Sequence, residues 1–80
     1  MKYKLTNETI IFYGVTLHRI EALENFNTIK KGDKGGFVQK ESNLSQLKNS
    51  WVSGNAKVSG DAEVSGYAKF SGNDKLSRET

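Results

Sequence analysis

The second half of the chain repeats itself every six residues, and this period limits what the chain can fold into. A large apolar side chain recurs at that interval, and a Ser-Gly pair follows each of the first four large residues. The large positions hold Val52, Val58, Val64, Phe70 and Leu76, and Ala56, Ala62 and Ala68 stand four places after the first three of them. An amphipathic helix requires apolar residues at spacings of three and four, so a period of six argues against a helix.

The same register extends towards the N-terminus, with one interruption. Val38 and Leu44 are six residues apart and occupy large positions, whereas Leu44 and Val52 are eight residues apart. This spacing indicates that two residues are inserted, around Leu47-Lys48, and Ser50 then takes the small position. Short β-segments that bend at regular corners satisfy the pattern, because the large residue points inward, the small residue fits near the corner, and glycine with Asn or Asp supplies the bend.

This pattern resembles the hexapeptide repeat of left-handed parallel β-helices, in which a bulky aliphatic residue is followed four places later by Ala, Ser or Thr. In that fold three hexapeptides form one triangular coil, so residues 37–76 imply about two coils. Phe70, and Asp74 at the small position of its repeat, depart from the pattern. Side chains in register are then expected to stack about 4.8 Å apart. The expected columns are Val38–Val58–Leu76, Leu44–Val64 and Val52–Phe70.

The N-terminal residues are predicted to form a β-hairpin or small antiparallel sheet that caps the stacked repeats. Thr9–Phe12 and Val15–Ile20 are rich in β-branched and aromatic residues, with Tyr13-Gly14 as a tight turn between them. Lys2–Leu5 is a candidate edge strand. Residues 20–26 suit either a continued strand followed by a turn, which we favour, or a helical turn.

The segment KKGDKGGFV, residues 30–38, connects this sheet to the first repeat. Its glycines have neither the spacing of a phosphate-binding P-loop nor that of a dinucleotide-binding turn, so we interpret it as a turn. Lys30, Lys31 and Lys34 are candidates to contact an anion or an acidic partner. The sequence as a whole predicts one all-β domain with a cap (1–36), a short left-handed parallel β-helix (37–76) and a frayed tail (77–80).

Composition argues against several classes of protein. The 80 residues include no cysteine and one histidine, so neither a disulfide nor a metal site is expected, and we predict no cofactor. No apolar stretch reaches the length of a signal peptide core or of a membrane-spanning helix. The net charge of +3 is spread over both halves, without the one-sided basic face that most nucleic-acid binders carry.

The whole chain also resembles a set of small proteins encoded in phages and prophages. The residues that carry this resemblance are KYKLT (2–6), GVTLHRIEAL (14–23), KKGDKGGFV (30–38), NLSQ (43–46) and WVSGNAKVSG (51–60). The resemblance implies a non-enzymatic accessory protein in the cytoplasm of an infected or lysogenic bacterium. Such a protein is expected to bind a protein of the host or of a mobile element, for example a transcriptional repressor that it removes from its operator, or a defence component.

Three other functions are weighed against this one. Acyl- and nucleotidyltransferases built on hexapeptide repeats place a catalytic histidine between subunits, whereas the histidine here, His18, lies in the predicted hairpin; we therefore predict no enzymatic activity. A nucleic-acid binder needs aromatic side chains among lysines, and only Trp51 with Lys69 approximates that arrangement. A structural role in the virion is the third alternative.

Aromatic residues that depart from the repeat are the candidates for contacting a protein partner. Tyr67 stands where the other repeats have Asn55, Asp61 and Asn73, and tyrosine and tryptophan are enriched at the energetic centres of interfaces. Trp51 is the second candidate, with Lys69 beside it; for both aromatics the alternative is packing on the coil or on the cap. Phe70 and Leu76, at the open end of the predicted stack, are candidates for self-association as a homodimer.

Overall fold

The computed structural model describes residues 1–72 and 75–78, and these residues form an all-β protein. The strands are β1 (Tyr3–Phe12), β2 (Val15–Ala22), β3 (Lys34–Val38), β4 (Trp51–Val52), β5 (Lys57–Gly60), β6 (Lys69–Phe70) and β7 (Lys75–Arg78), and a 3₁₀ turn spans Glu41–Asn43. One sheet has five strands in the order β1-β2-β3-β5-β7, and the other pairs β4 with β6.

The first two strands form the predicted hairpin. Tyr13 and Gly14 connect them with φ angles of 50° and 79°, the left-handed region that a tight two-residue hairpin turn requires. Lys2–Leu5 was predicted as a separate edge strand, but Tyr3–Leu5 belongs to β1 itself and pairs with residues 20–22 of β2. An irregularity between Leu5 and Thr9 shifts the register, so the strand runs on past a local bulge instead of ending.

The strand β3 joins the hairpin to the repeats. Val38 pairs with His18 of β2 on one side, in antiparallel direction, and with Val58 of β5 on the other side, in parallel direction. The five-stranded sheet is therefore continuous from the hairpin into the repeats, and the hairpin covers one edge of the stacked segments.

The predicted columns of inward side chains are confirmed. Val58 is in register with Val38 and with Leu76. A bridge joins Leu44 to Val64, and Val52 is in register with Phe70. The large residues of the earlier repeats are buried, as are Ala56 and Ala62.

The repeat glycines form the corners between these columns. Gly54, Gly60, Gly66 and Gly72 all have φ between 61° and 66°, a conformation that residues with a Cβ atom rarely adopt. Recurrence of one backbone conformation at one sequence position explains why glycine recurs there.

The last repeats differ from the predicted core. Ala68 was predicted to be buried, but it is exposed because it precedes β6, and no described strand pairs with the far side of β6. Phe70 and Leu76 are partly buried and pack against the core. Residues 77 and 78, which the sequence assigns to a frayed tail, belong to β7. Residues 79 and 80 lie outside the described residues, as do Asn73 and Asp74.

The segment between β2 and β3 contains a turn, as favoured above for the residues after Ile20. The strand β2 continues to Ala22, and a short bridge then joins Phe26 to Ile29. The backbone N–H groups and carbonyls of these two residues exchange hydrogen bonds of 3.0 and 2.8 Å. This turn lies against the repeats, because the ring of Phe26 meets the ring of Trp51 edge to face, with centroids 5.4 Å apart.

A buried amide holds the 3₁₀ turn to the next layer of the stack. Asn43 is fully buried, and its Oδ1 accepts hydrogen bonds from the backbone N–H groups of Gln39 and Lys40 at 2.9 and 2.8 Å. Its Nδ2 donates to the carbonyls of Gly60 and Ala62 at 3.0 and 2.8 Å. One side chain therefore uses both donors and both lone pairs of its amide to join two corners of the stack.

Candidate protein-binding surface

The insertion in the repeat forms an outward loop between two points that stay in register. Ser45 N–H donates to the Val64 carbonyl at 2.9 Å, and Asn49 N–H donates to the Gly66 carbonyl at 3.2 Å. Between them the chain has to accommodate the extra residues, and Lys48 adopts a left-handed conformation with φ of 59°. The side chain of Leu47 consequently points to solvent, with 74% of its surface exposed.

A buried lysine holds this loop from the inside. The Lys2 ammonium donates to the Ser50 carbonyl at 2.8 Å and lies 3.4 Å from the carbonyl oxygens of Leu47 and Lys48. It also lies 5.0 Å from the centroid of the Phe26 ring. Desolvation by burial lowers the pKa of Lys2, and the charge of Glu24 opposes that shift. Because these carbonyl oxygens point inward to the ammonium, the side chains of Leu47 and Lys48 point outward.

The backbone of Lys2 and the first residue of β1, Tyr3, hold the same part of the chain. The Oε1 atom of Gln46 accepts from the backbone N–H of Lys2 at 2.8 Å and from that of Tyr3 at 3.3 Å. The Tyr3 hydroxyl lies 2.6 Å from the carbonyl oxygens of both Glu41 and Leu44, so its single proton is shared between two acceptors. Burial, with a smaller contribution from Glu41, raises the pKa of Tyr3 to about 12.

Two exposed side chains, Lys48 and Tyr67, meet where this loop faces the next corner. Together with Leu47, the exposed neighbour of Lys48 in the chain, we name them the corner patch. Tyr67 is 70% exposed, and the Lys48 ammonium lies 5.6 Å from the centroid of its ring, a cation–π distance. The predicted candidate Tyr67 therefore presents its ring to solvent beside a cation. The sequence identified Leu47 and Lys48 only as the position of the two-residue insertion, and not as candidates for contacting a partner.

Trp51, the second predicted candidate, packs inside the protein. It is only 4% exposed because the turn at 25–29 covers it, with Phe26 against its ring. This agrees with the alternative of packing on the cap, and Trp51 is not an outward anchor. Lys69 is in register with Trp51 on β6 and is exposed.

A cleft of about 180 Å³ lies beside Trp51 and Lys69, between the 27–29 turn and the outer face of β4 and β6. Trp51 and Ile29 form its apolar wall. Its polar wall includes Asn27, Thr28, Asn49 and Lys69. Asn49, which lines the cleft, directly follows Lys48 of the corner patch in the chain.

The other predicted lysines lie elsewhere. Lys30 and Lys31 are exposed in the turn before β3, where their backbone N–H groups donate to Asp33 at 3.0 Å and Asn25 at 2.7 Å. Lys34 lines a different, open groove that also includes Lys4 and Glu21. Among residues 1–72 and 75–78, none lines both this groove and the cleft beside Lys69.

A second exposed aromatic lies at the tip of the hairpin. Tyr13 is 87% exposed and stacks edge to face on Phe12, with ring centroids 4.5 Å apart. Lys57 and Lys75, which are in register on β5 and β7, place their ammonium groups 5.5 and 5.7 Å from the Phe12 centroid. Tyr13 thus provides an aromatic of comparable exposure at a different place on the protein.

The histidine of the hairpin has a local role. The Nδ1 atom of His18 lies 3.1 Å from the Thr6 carbonyl, and a carbonyl only accepts, so Nδ1 carries the proton.

Among residues 1–72 and 75–78, no three His, Asp or Glu side chains are grouped so that they could hold a metal ion. The same part of the chain contains no helix with the length and apolarity needed to cross a membrane. Comparison with family models and with curated proteins finds no match to this chain.

Proposed function

We propose that this chain is a non-enzymatic accessory protein that acts by binding another protein through the corner patch. The observation that carries the proposal is the exposure of Tyr67, 70% of whose surface is in solvent at a repeat position where Asn55 and Asp61 stand elsewhere. Asparagine or aspartate suffices for the turn, so tyrosine is not required by the backbone there. Its ring is the kind of side chain that contributes most to protein interfaces.

The surroundings of Tyr67 favour tight binding. Two of its residues, Leu47 and Lys48, stand on a loop that Lys2 fixes through carbonyl contacts of 2.8 to 3.4 Å, so little chain entropy is lost there on association. Leu47 adds exposed apolar area, and Lys48 adds a charge beside the ring. Apolar surface with a charged rim is typical of protein interfaces.

The parallel columns support the proposal that residues 37–76 form a short left-handed β-helix. We place the protein with the small phage and prophage proteins that its sequence resembles, in the bacterial cytoplasm. The partner is then a protein of the host or of a mobile element. A transcriptional repressor that loses its operator, or a defence component, fits a small module that acts by binding.

Replacing Tyr67 by asparagine is expected to abolish partner capture while leaving the fold intact. Asparagine already occupies the equivalent position of another repeat at residue 55, so the free energy of unfolding is expected to change by less than about 0.5 kcal/mol. The measurement is affinity capture from an extract of the natural host, with mass spectrometry of the retained proteins for both variants.

The control is Tyr13→Asn, the same change at the exposed aromatic of the hairpin, which is expected to retain capture. Equal retention of one partner by wild type and Tyr67→Asn would contradict the proposal. A salt-sensitive shift of labelled DNA that Tyr13→Asn removes would instead favour nucleic-acid binding by the hairpin tip and its two lysines.

We also propose that the chain forms a homodimer through Phe70 and Leu76. Both are partly buried and lie on β6 and β7, which are edge strands of the two sheets. Edge strands with exposed apolar residues are templates for association. Phe70→Glu is expected to give a monomer of lower stability; sedimentation showing an oligomer of unchanged size would place the contact elsewhere.

A further inference from the structure

We infer that the cleft beside Lys69 is a binding site for a carboxylate side chain of the partner protein. The inference deepens the proposed function and rests on it only for the statement that the ligand belongs to a protein. It is carried by three features of the cleft: unpaired polar groups, a size that suits one side chain, and continuity with the corner patch.

Four polar side chains of the cleft have no partner within the described residues, whereas the Ser53 hydroxyl donates to the Phe70 carbonyl at 3.2 Å and Ser71 is also engaged. Across residues 1–72 and 75–78, no carboxylate pairs with the Lys69 ammonium, and no hydrogen bond satisfies the side chains of Asn27, Thr28 or Asn49. An ammonium, two amides and a hydroxyl can together donate several hydrogen bonds. An acceptor with a negative charge is the ligand that such a set of donors binds best.

The volume of the cleft suits a small anionic group better than a nucleotide. About 180 Å³ corresponds to roughly six water-sized groups, at about 30 Å³ each. The side chain of a glutamate or an aspartate fits that space, whereas a nucleotide has several times as many atoms. Trp51 and Ile29 provide an apolar wall for the methylene groups of such a side chain.

The cleft and the corner patch are parts of one surface. Lys48 belongs to the patch and Asn49 lines the cleft, and the backbone of Asn49 is joined to Gly66, the residue before Tyr67, by a 3.2 Å hydrogen bond. A partner that covers Tyr67 therefore has the cleft within reach. An acidic residue at that point of the partner would place its carboxylate against Lys69.

Trp51 reports directly on this site, because it is the one tryptophan of the chain and it lines the cleft. The probe is a capped peptide with several glutamates, titrated against the isolated protein while tryptophan fluorescence is recorded. We expect a saturable change that weakens as salt is raised. Lys69→Gln is expected to weaken binding about tenfold or more, the usual effect of removing a charged hydrogen-bond donor.

Three controls make the experiment decisive. Lys57→Gln, the same change on a lysine of β5 that does not line the cleft, is expected to bind like wild type. The same peptide with glutamine at each glutamate is expected to give no response; an equal response, or unchanged binding by Lys69→Gln, would overturn the carboxylate site. Glutarate binding as tightly as the peptide would overturn the assignment to a protein segment. The titration contains no partner protein, so a negative titration would not contradict partner capture through Tyr67. Likewise, a failure of partner capture would not contradict a positive titration.

Discussion

The Asn43→Asp variant is expected to lose about 3 kcal/mol or more of unfolding free energy at pH 7, since each buried polar group left unsatisfied costs about 1–3 kcal/mol. The change replaces Nδ2 by an oxygen that faces the carbonyl oxygens of Gly60 and Ala62, at the places of hydrogen bonds of 3.0 and 2.8 Å. Two donors are lost, and a negative charge is buried against two acceptors. A domain of 80 residues has a total stability of about 4–12 kcal/mol, so the loss is a large share.

The direction of the pH dependence identifies the cause of this loss. We expect burial opposite two carbonyls to raise the pKa of the introduced carboxyl above its unfolded value of about 4, by more than the two backbone N–H groups that donate to its other oxygen lower it. The folded variant then binds a proton more tightly than the unfolded chain does. Its stability is expected to rise as the pH falls from 7 towards about 4.5, because the protonated carboxyl is neutral and can donate one hydrogen bond.

Urea denaturation followed by Trp51 fluorescence at pH 7 and pH 4.5 measures both effects. The matched control is Asn55→Asp, because Asn55 is exposed and the next repeat has Asp61 at the corresponding position. That variant is expected to unfold within about 0.5 kcal/mol of wild type at either pH. If the two variants had the same urea midpoint, the amide of Asn43 would not join the corners in the way described.

The columns could be predicted from sequence because their cause is local. The period of six gives each of Val38, Val58 and Leu76 the same position in its repeat, and one insertion explains the interval of twenty residues between the first two. The corner glycines follow from the same period, because one left-handed conformation recurs. Ala68 was placed wrongly because burial depends on whether another strand follows in the stack, which the period itself does not encode.

Residues of the candidate site could be selected from the sequence only where the repeat itself is broken. Tyr67 departs from the asparagine and aspartate of other repeats, and that departure identified an exposed residue. Trp51 also departs from the repeat, but it is covered by a turn that lies more than twenty residues earlier in the chain. No local sequence pattern predicts that contact. The role of Lys2, whose ammonium meets the Ser50 carbonyl at 2.8 Å, likewise depends on a contact between residues 48 positions apart.

The second large effect is expected at Gly36, where alanine should lower the free energy of unfolding by about 3 kcal/mol or more, at or above the upper end of the usual cost of overpacking a core. A Cβ atom at this position would lie 2.5 Å from the Ala56 carbonyl oxygen and 2.7 Å from Cγ1 of Val52. The oxygen cannot withdraw easily, because it accepts the 2.9 Å hydrogen bond from Phe37 N–H that ties β3 to the repeats. The close contact between β3 and the repeats therefore requires glycine at position 36.

Gly66→Ala separates this contact from the conformational freedom of glycine. Gly66 has φ of +66° and nothing within 4 Å of an added Cβ, so alanine there meets backbone strain of about 1–2 kcal/mol and no collision. Gly36 is not in the left-handed region, so its loss is expected to come entirely from contact. In urea titrations Gly36→Ala should have the clearly lower midpoint. If Gly66→Ala were destabilised as much or more, the repeats would tolerate a wider separation from β3. The close approach of β3 to the repeats would then not be what holds the cap in place.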